Sequence, residues 1–365
     1  TPTPNDSKPA PNASKRLQTT PNGHCTSNCD ANHAMQSRVQ TILLAASVAR
    51  CGALTTRRAS RALSSPRPKA KQSLGQNWLQ DAAIAQRIAE SVGVGEDVGE
   101  GGCRVVELGP GQGAITKWLL AQHPAMTAVE IDERLIGVLR QELPQLALRE
   151  GDLLQLDLAR LADECGGRLA LVSNTPYYLT SPLLFKLLGS LEHVESAVLT
   201  TQREVREKIL ARPGTKQYGI LSVMLQLFAS PRHLFDIPPE AFSPAPKVDS
   251  SVIRLAPSAT PAGLAAPLSP ARRADLLALL KLTFESRRKM LRTSLKPLLI
   301  GLGAESTEPI LASCLERRPE QLSPEEWLDL VERLFGAEAD GRAAELLARG
   351  HASKSWRPHK AGYVD

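Results

Sequence analysis

The sequence has no cysteine framework, no membrane-length apolar run and no internal repeat, and each absence removes a class of protein. Its six cysteines are scattered. Cys103, Cys165 and Cys314, the three in the part that reads as folded, suit a reducing compartment and exclude a disulfide-stapled scaffold. His24, Cys25, Cys29 and His33 are spaced like metal ligands. They sit in a Ser/Asn-rich stretch without a folded pattern, so no metal is expected. The apolar run Ile42–Ala49 is far too short to span a bilayer, and no membrane attachment is expected.

Basic charge is missing where the formal +6 suggests it. Residues 1–70 hold ten Lys/Arg and two acids, so of the 44 bases and 38 acids the rest of the chain keeps 34 and 36. Attraction to nucleic acid must therefore come from local patches rather than bulk charge. Residues 1–68 are rich in Ser, Thr, Ala, Pro and Arg and poor in acids, the composition of an organelle transit peptide. Met35 is expected as the start, and a plastid is favoured over a mitochondrion.

What is present from residue 69 on is an alternation of short apolar runs with helical patterns. Strands are expected at Arg104–Leu108, Met126–Glu130, Leu146–Arg149, Leu169–Ser173, Ala197–Thr200 and Asp249–Leu255. Helices are expected at Asp81–Val92, Ala114–Ala121, Glu133–Leu143 and from Ser181. This order predicts an α/β, doubly wound, Rossmann-like domain with a parallel sheet over residues 69–258. A Pro/Ala-rich linker, Pro257–Pro270, leads to a small all-α domain over 265–336, with helices at Arg272–Thr283, Lys289–Leu299, Ile310–Leu315 and Pro324–Phe335. Residues 337–365 read as a polar tail.

Chemistry-bearing residues fall at the ends of the strands. Glu107-Leu108-Gly109-Pro110-Gly111-Gln112-Gly113 follows a strand and opens a helix, so its backbone can approach a ligand closely. Its Gly-x-Gly-x-Gly spacing and leading acid favour S-adenosyl-L-methionine over a dinucleotide. Glu130 is placed for ribose hydroxyls, and Asp152 for an adenine amine. Asn174-Thr175-Pro176-Tyr177 offers an amide oxygen and a backbone carbonyl as acceptors for an exocyclic amine, a proline-stiffened turn, and a ring to stack on a base. Phe242, on a Pro-stiffened loop, is a second stacking candidate or else a core residue. Gly, Glu, Asp and Asn at successive strand ends define one crevice at the carboxyl edge of a parallel sheet.

Seven ordered motifs resemble the rRNA adenine N(6),N(6)-dimethyltransferase family, of the small-subunit KsgA type, over about residues 70–335. They are Lys71–Leu79, Glu107–Gly113, Asn174–Tyr177, Gln202–Val205, Pro213–Gly219, Phe242–Ser250 and Phe284–Leu291. The resemblance implies a class I methyltransferase domain that uses S-adenosyl-L-methionine to dimethylate adjacent adenines of small-subunit ribosomal RNA, as a monomer acting on the immature small subunit. It implies that Asn77 and Leu79 line the amino-acid end of the cofactor or its entrance, and that Gly109 faces the methionine moiety. It also assigns Glu130 to the ribose, Asp152 to the adenine and Asn174 to the reaction centre. Trp78 stands where Phe is usual, Thr175 where Leu, Ile or Pro is usual, and Thr293 where Asn is common.

RNA contacts are expected from Arg287, Arg288, Lys289 and Arg292 with Lys296, and from Arg203, Arg206, Lys208, Arg212 and Lys216. Three rivals remain open: a large-subunit rRNA methylase, a non-catalytic ribosome-assembly factor, and an organelle transcription factor on the same fold. Deleting residues 1–68 from a fluorescent fusion is expected to abolish organelle import; import that persists would overturn the leader assignment.

Overall fold

A computed structural model of the chain describes residues 68–71, 75–92, 105–174, 176–258, 260, 261, 264, 266–302 and 309–336. Residues 1–67, nearly all of the leader expected over 1–68 and with it the His/Cys cluster, lie outside the described residues, as do Cys103, Thr175 and the residues beyond 336. Among the described residues no helix is long and apolar enough to cross a membrane, and no group of three His, Cys, Asp or Glu gathers to hold a metal.

Seven strands form the main sheet: β2 (Val105–Leu108), β3 (Thr127–Glu130), β4 (Ala147–Glu150), β5 (Leu169–Ser173), β6 (Val194–Gln202), β7 (Arg232–Ile237) and β9 (Ser250–Leu255). Their spatial order is β4-β3-β2-β5-β6-β9-β7. The first five run parallel, and β9 pairs antiparallel with both β6 and β7. The expected parallel sheet is thus mixed: one antiparallel strand, β9, sits between β6 and the edge strand β7, which runs in the direction of the first five. Strands β2, β3 and β5 are buried at every position, as strands covered on both faces must be, which is why they read as apolar runs rather than alternations. A separate two-stranded ribbon pairs β1 (Trp78–Leu79) with β8 (Phe242–Ser243).

The chain winds outward from β2 through α2 (Thr116–Gln122), β3 and α3 (Glu133–Glu142) to β4. It then returns through α4 (Leu158–Glu164) to β5 on the other side of β2. That reversal opens a crevice at the carboxyl ends of β2 and β5. On one face, β1 and α1 (Ala82–Glu90) pack with α2 in one apolar cluster. On the other, α4, α5 (Tyr177–Leu188) and α7 (Ile220–Phe228) share a second cluster with α8 (Pro270–Phe284) and α12 (Pro324–Phe335). The helical region expected as a second domain therefore shares a continuous core with the sheet. Trp327 of α12 is fully buried at its centre. Phe284 links it to Tyr218, with ring centroids 6.0 and 6.4 Å apart, and the Tyr218 hydroxyl donates to the Leu322 carbonyl at 2.8 Å.

Two sequence expectations need correction. Helix α5 begins at Tyr177 rather than Ser181, with Pro176 as its N-cap residue, so Tyr177 sits in a helical first turn. The helix expected from Lys289 begins at Leu291 instead, so Lys289 joins Arg287 and Arg288 in the turn and bend before α9 (Leu291–Ser294). Arg287 uses three of its N–H donors within the protein. It contacts Glu320 Oε2 at 2.5 Å and donates to the carbonyls of Lys216 at 2.6 Å and Thr215 at 2.7 Å. It ties the 212–217 loop to the 319–321 turn. Arg288 and Lys289 are exposed beside it, and Arg292 pairs with Glu316 in solvent. Arg287→Ala is expected to lower stability by about 1.5–3 kcal/mol, the range for hydrogen bonds to a charged group. Arg288→Ala is expected to stay within about 0.5 kcal/mol. Equal denaturation midpoints for the two variants would remove the clamp role from Arg287.

Candidate active site

At the carboxyl ends of β2, β3, β4 and β5 the structure holds a cavity of about 310 Å³. Asn77, Leu79, Gly109, Glu130, Asp152, Asn174, Pro176, Tyr177 and Phe242 all line it. The sequence expected these residues to form one site, and the fold brings them together. Thr175 lies outside the described residues, so the carbonyl expected from it is unplaced.

The turn after β2 makes the floor. Gly109, Gly111 and Gly113 have φ of 71°, 59° and 78°, the left-handed region that L side chains rarely enter. A Cβ on Gly111 would also come 2.8 Å from Cζ3 of Trp78. Glycine there lets the indole lie directly on the turn. Glu130, buried at the end of β3, locks this turn in place. Its Oε2 accepts from Gly111 N at 3.1 Å, and its Oε1 from Ile131 N at 2.9 Å and Asp132 N at 3.0 Å. Burial raises its pKa, and these three N–H groups pull it back down. A carboxylate offers about four lone-pair sites, so capacity remains for a ribose hydroxyl.

Residues 68–71 and 75–79 form a strap tied to the edge of the cavity. Gln112 Nε2 donates to the Pro68 carbonyl at 3.2 Å, Arg134 to the Lys69 carbonyl at 3.3 Å, and Gln76 Nε2 to Asp132 Oδ2 at 3.1 Å. Arg134 also holds the Asp132 carboxyl down to about 2, with smaller help from Gln76. The latch joins residues 56 positions apart in sequence, and local pattern carries no sign of it. Register places Leu79 opposite Phe242. Phe242 is only 5% exposed yet lines the cavity, so it is at once a packing and a site residue.

The reactive end lies at β5. Ser173 Oγ donates to the Leu108 carbonyl at 2.7 Å, binding the end of β5 to that of β2 and setting Asn174 beside Gly109. Asn174 is half-buried, and its amide makes no hydrogen bond within the described residues. Tyr177 is half-buried, with its hydroxyl fixed to Ser250 Oγ at 2.7 Å; burial raises its pKa. Asp152 Oδ1 caps Leu154 N at 2.8 Å. Exposed Ile131, just past Glu130, adds an apolar wall that the sequence reading missed. Its signal was an apolar residue where chain leaves a strand for solvent.

The donor set fits S-adenosyl-L-methionine. Glu107 is fully buried in the cavity wall, and its Oε2 has no partner in the described residues. Desolvation pushes its carboxyl up to about 7, nearby Glu130 adds to this, and the Thr116 hydroxyl pulls it down. That hydroxyl lies outside hydrogen-bond geometry, since Thr116 Oγ1 is itself unpartnered. An orphaned acceptor beside the glycine turn suits a ligand ammonium group, while Glu130 and Asp152 suit a nucleoside.

A glycine turn, strand-end acids and an Asn-x-Pro-Tyr segment on this sheet define a class I methyltransferase. Residues 67–334 match the Ribosomal RNA adenine dimethylase family, and the chain belongs to that family. It is 44% identical over 266 residues to the Ribosomal RNA small subunit methyltransferase A of Salinibacter ruber, covering 72% of this chain and 84% of that one. It is 39% identical over 264 residues to the protein of that name from Prosthecochloris aestuarii, covering 72% and 94%. The crystal structure of a dimethyladenosine transferase from Plasmodium falciparum shares the fold, with TM-score 0.57 and 23% identity over 69% of this chain and 95% of that one.

The raised Glu107 pKa gives a test with a defined sign. Below about 4.5 Glu107 is protonated in both folded and unfolded chains. Between 4.5 and about 7 the folded form keeps a proton that the unfolded form loses, so fold stability falls as pH rises through that window. A ligand ammonium would reverse this by favouring the carboxylate. Calorimetry near pH 6.5 in buffers of different ionisation enthalpy is expected to show proton release on binding S-adenosyl-L-methionine. Glu107→Gln is expected to release fewer protons, bind about tenfold more weakly, and gain stability above pH 7. Proton release unchanged in Glu107→Gln would remove this role.

Proposed function

We propose that this protein dimethylates the exocyclic amine of adjacent adenines in small-subunit ribosomal RNA, with S-adenosyl-L-methionine as methyl donor, and so contributes to ribosome biogenesis. The observation that carries the reading is the unengaged Asn174 amide, held beside the glycine turn by the Ser173–Leu108 hydrogen bond. Family membership and the names of the relatives support the substrate class.

When bound, the cofactor supplies an electrophilic methyl group. The protein's task is to present a poor nucleophile, because the adenine amine delocalises its lone pair into the ring. Asn174 Oδ1 accepts a hydrogen bond from the amine and favours a pyramidal nitrogen with an available lone pair. The Thr175 carbonyl is proposed as acceptor for the second hydrogen. Pro176, with φ −52° at the helix start, stiffens the segment that carries these acceptors. Tyr177 stacks on one base face and Phe242 covers the other, worth about 1–3 kcal/mol per stacked base. Orientation supplies much of the remainder, since well-placed groups lower a barrier by roughly 7–11 kcal/mol. The proton leaves to solvent after attack, so no strong general base is required.

Asn174→Ala is expected to reduce methyl transfer by orders of magnitude while cofactor affinity stays within about threefold. Incubation of the wild-type protein with labelled cofactor and separated unmethylated subunits is expected to label dimethyladenine in the small subunit only. Label in the large subunit, or wild-type rates in Asn174→Ala, would overturn the reading.

A further inference from the structure

The Asn-x-Pro-Tyr segment is followed by a second tyrosine that the chemistry above does not use. Tyr178 lines the mouth of the cavity and is 46% exposed, among the few large apolar side chains of the described residues left open to water. Its hydroxyl has no hydrogen bond within those residues, whereas the neighbouring Tyr177 is bound to Ser250. Successive residues of an α-helix point about 100° apart, so the two rings cannot serve the same base. Tyr177 serves the interior and Tyr178 the rim.

The rim ring is held in place. Gly75 of the strap has φ 56°, and a Cβ there would come 3.2 Å from Tyr178 Cδ1 and Cε1. The strap backbone therefore packs against the ring edge without a side chain between them. Lys71 is exposed, and its backbone N–H donates to Gln76 Oε1 at 2.8 Å, next to Gly75. Exposed Lys69 lies two residues earlier. An aromatic face packed against the strap backbone, with two exposed lysines four and six residues before Gly75 on the same segment, has the chemistry of a single-stranded nucleotide platform.

Given that the cavity accepts a flipped adenine, as proposed above, we propose that Tyr178 stacks on the base next to the target adenine, with Lys71 and Lys69 near the connecting phosphates. Flipping a base removes a stacking partner from its neighbour, and the rim tyrosine replaces it. This makes Tyr178 a substrate-binding residue outside the reaction centre. Its ring matters and its hydroxyl does not.

The test is a cycle between protein and RNA. Hairpins carrying the target adenine are synthesised intact, or with an abasic site at its 5′ or its 3′ neighbour. RNA affinity and the KM and kcat for methyl transfer are measured for wild type, Tyr178→Ala and Tyr178→Phe. For wild type, removing one of the neighbouring bases is expected to raise KM and Kd by about tenfold, the size of one base–aromatic stack. Tyr178→Ala is expected to carry that loss on intact RNA and to be indifferent to the abasic site. Tyr178→Phe should match wild type, and kcat and cofactor affinity should stay within about twofold throughout. An abasic penalty of equal size in wild type and Tyr178→Ala, or an unchanged Kd in Tyr178→Ala, would overturn the stacking role. Methyl transfer without a Tyr178-dependent penalty sinks this inference alone. A Tyr178-dependent penalty in Kd without methyl transfer keeps the platform and sinks the methylation reading.

Discussion

The site depends on one buried carboxylate. Glu130 accepts three backbone N–H groups, one from the glycine turn after β2 and two from the chain leaving β3. Hydrogen bonds to a charged group are worth about 1.5–3 kcal/mol each, and a buried N–H left without a partner costs a similar amount. The carboxylate thus fixes two strand ends to each other before any ligand arrives. The latch from Asp132 to Gln76 and the seat of Trp78 on Gly111 both follow from where Glu130 sets that turn. Pre-organisation of this kind reduces what a ligand must spend on ordering the site.

The same fixed edge explains which parts of the fold were legible in the sequence. Strands β2, β3 and β5 are buried on both faces, so their apolar runs reported the sheet directly. Strand β7 stands at an edge, exposed at three of its six positions, with a register shift between His233 and Phe235; its alternation was too broken to read. Helix α7 was hidden for the opposite reason. It is apolar at most positions because it is sandwiched between the sheet and the C-terminal helices, so it lacked the polar face that marks a surface helix. The start of α5 was misplaced because Pro176 suits a turn as well as a helix N-cap position. Only the packing of residues 177–188 against the sheet decides between the two.

Side-chain roles divide similarly. Gly109, Glu130, Asp152 and Asn174 were legible because each sits at a strand end, and strand ends converge in a doubly wound sheet. The internal contacts of Arg287 were not legible because a run of three bases says nothing about where a partner carboxylate lies. Glu320 is 33 residues further on and reaches it only through the packing of α8 and α12. Tyr178 and Ile131 were passed over because exposure is a property of the fold. Next to a polar motif, either could have been core.

Electrostatics separate the two ligands that such an enzyme must hold. The cavity wall carries three carboxyl groups, Glu107, Glu130 and Asp152, and no base among the described residues, while the ionised Asp132 nearby is paired with Arg134. A field of that sign favours a cationic methyl donor and opposes phosphate. The exposed cations, Lys69 and Lys71 on the strap and Arg288 and Lys289 before α9, lie outside the cavity wall. With a screening length of about 8 Å at physiological salt, they act on phosphates near them without cancelling the acids inside.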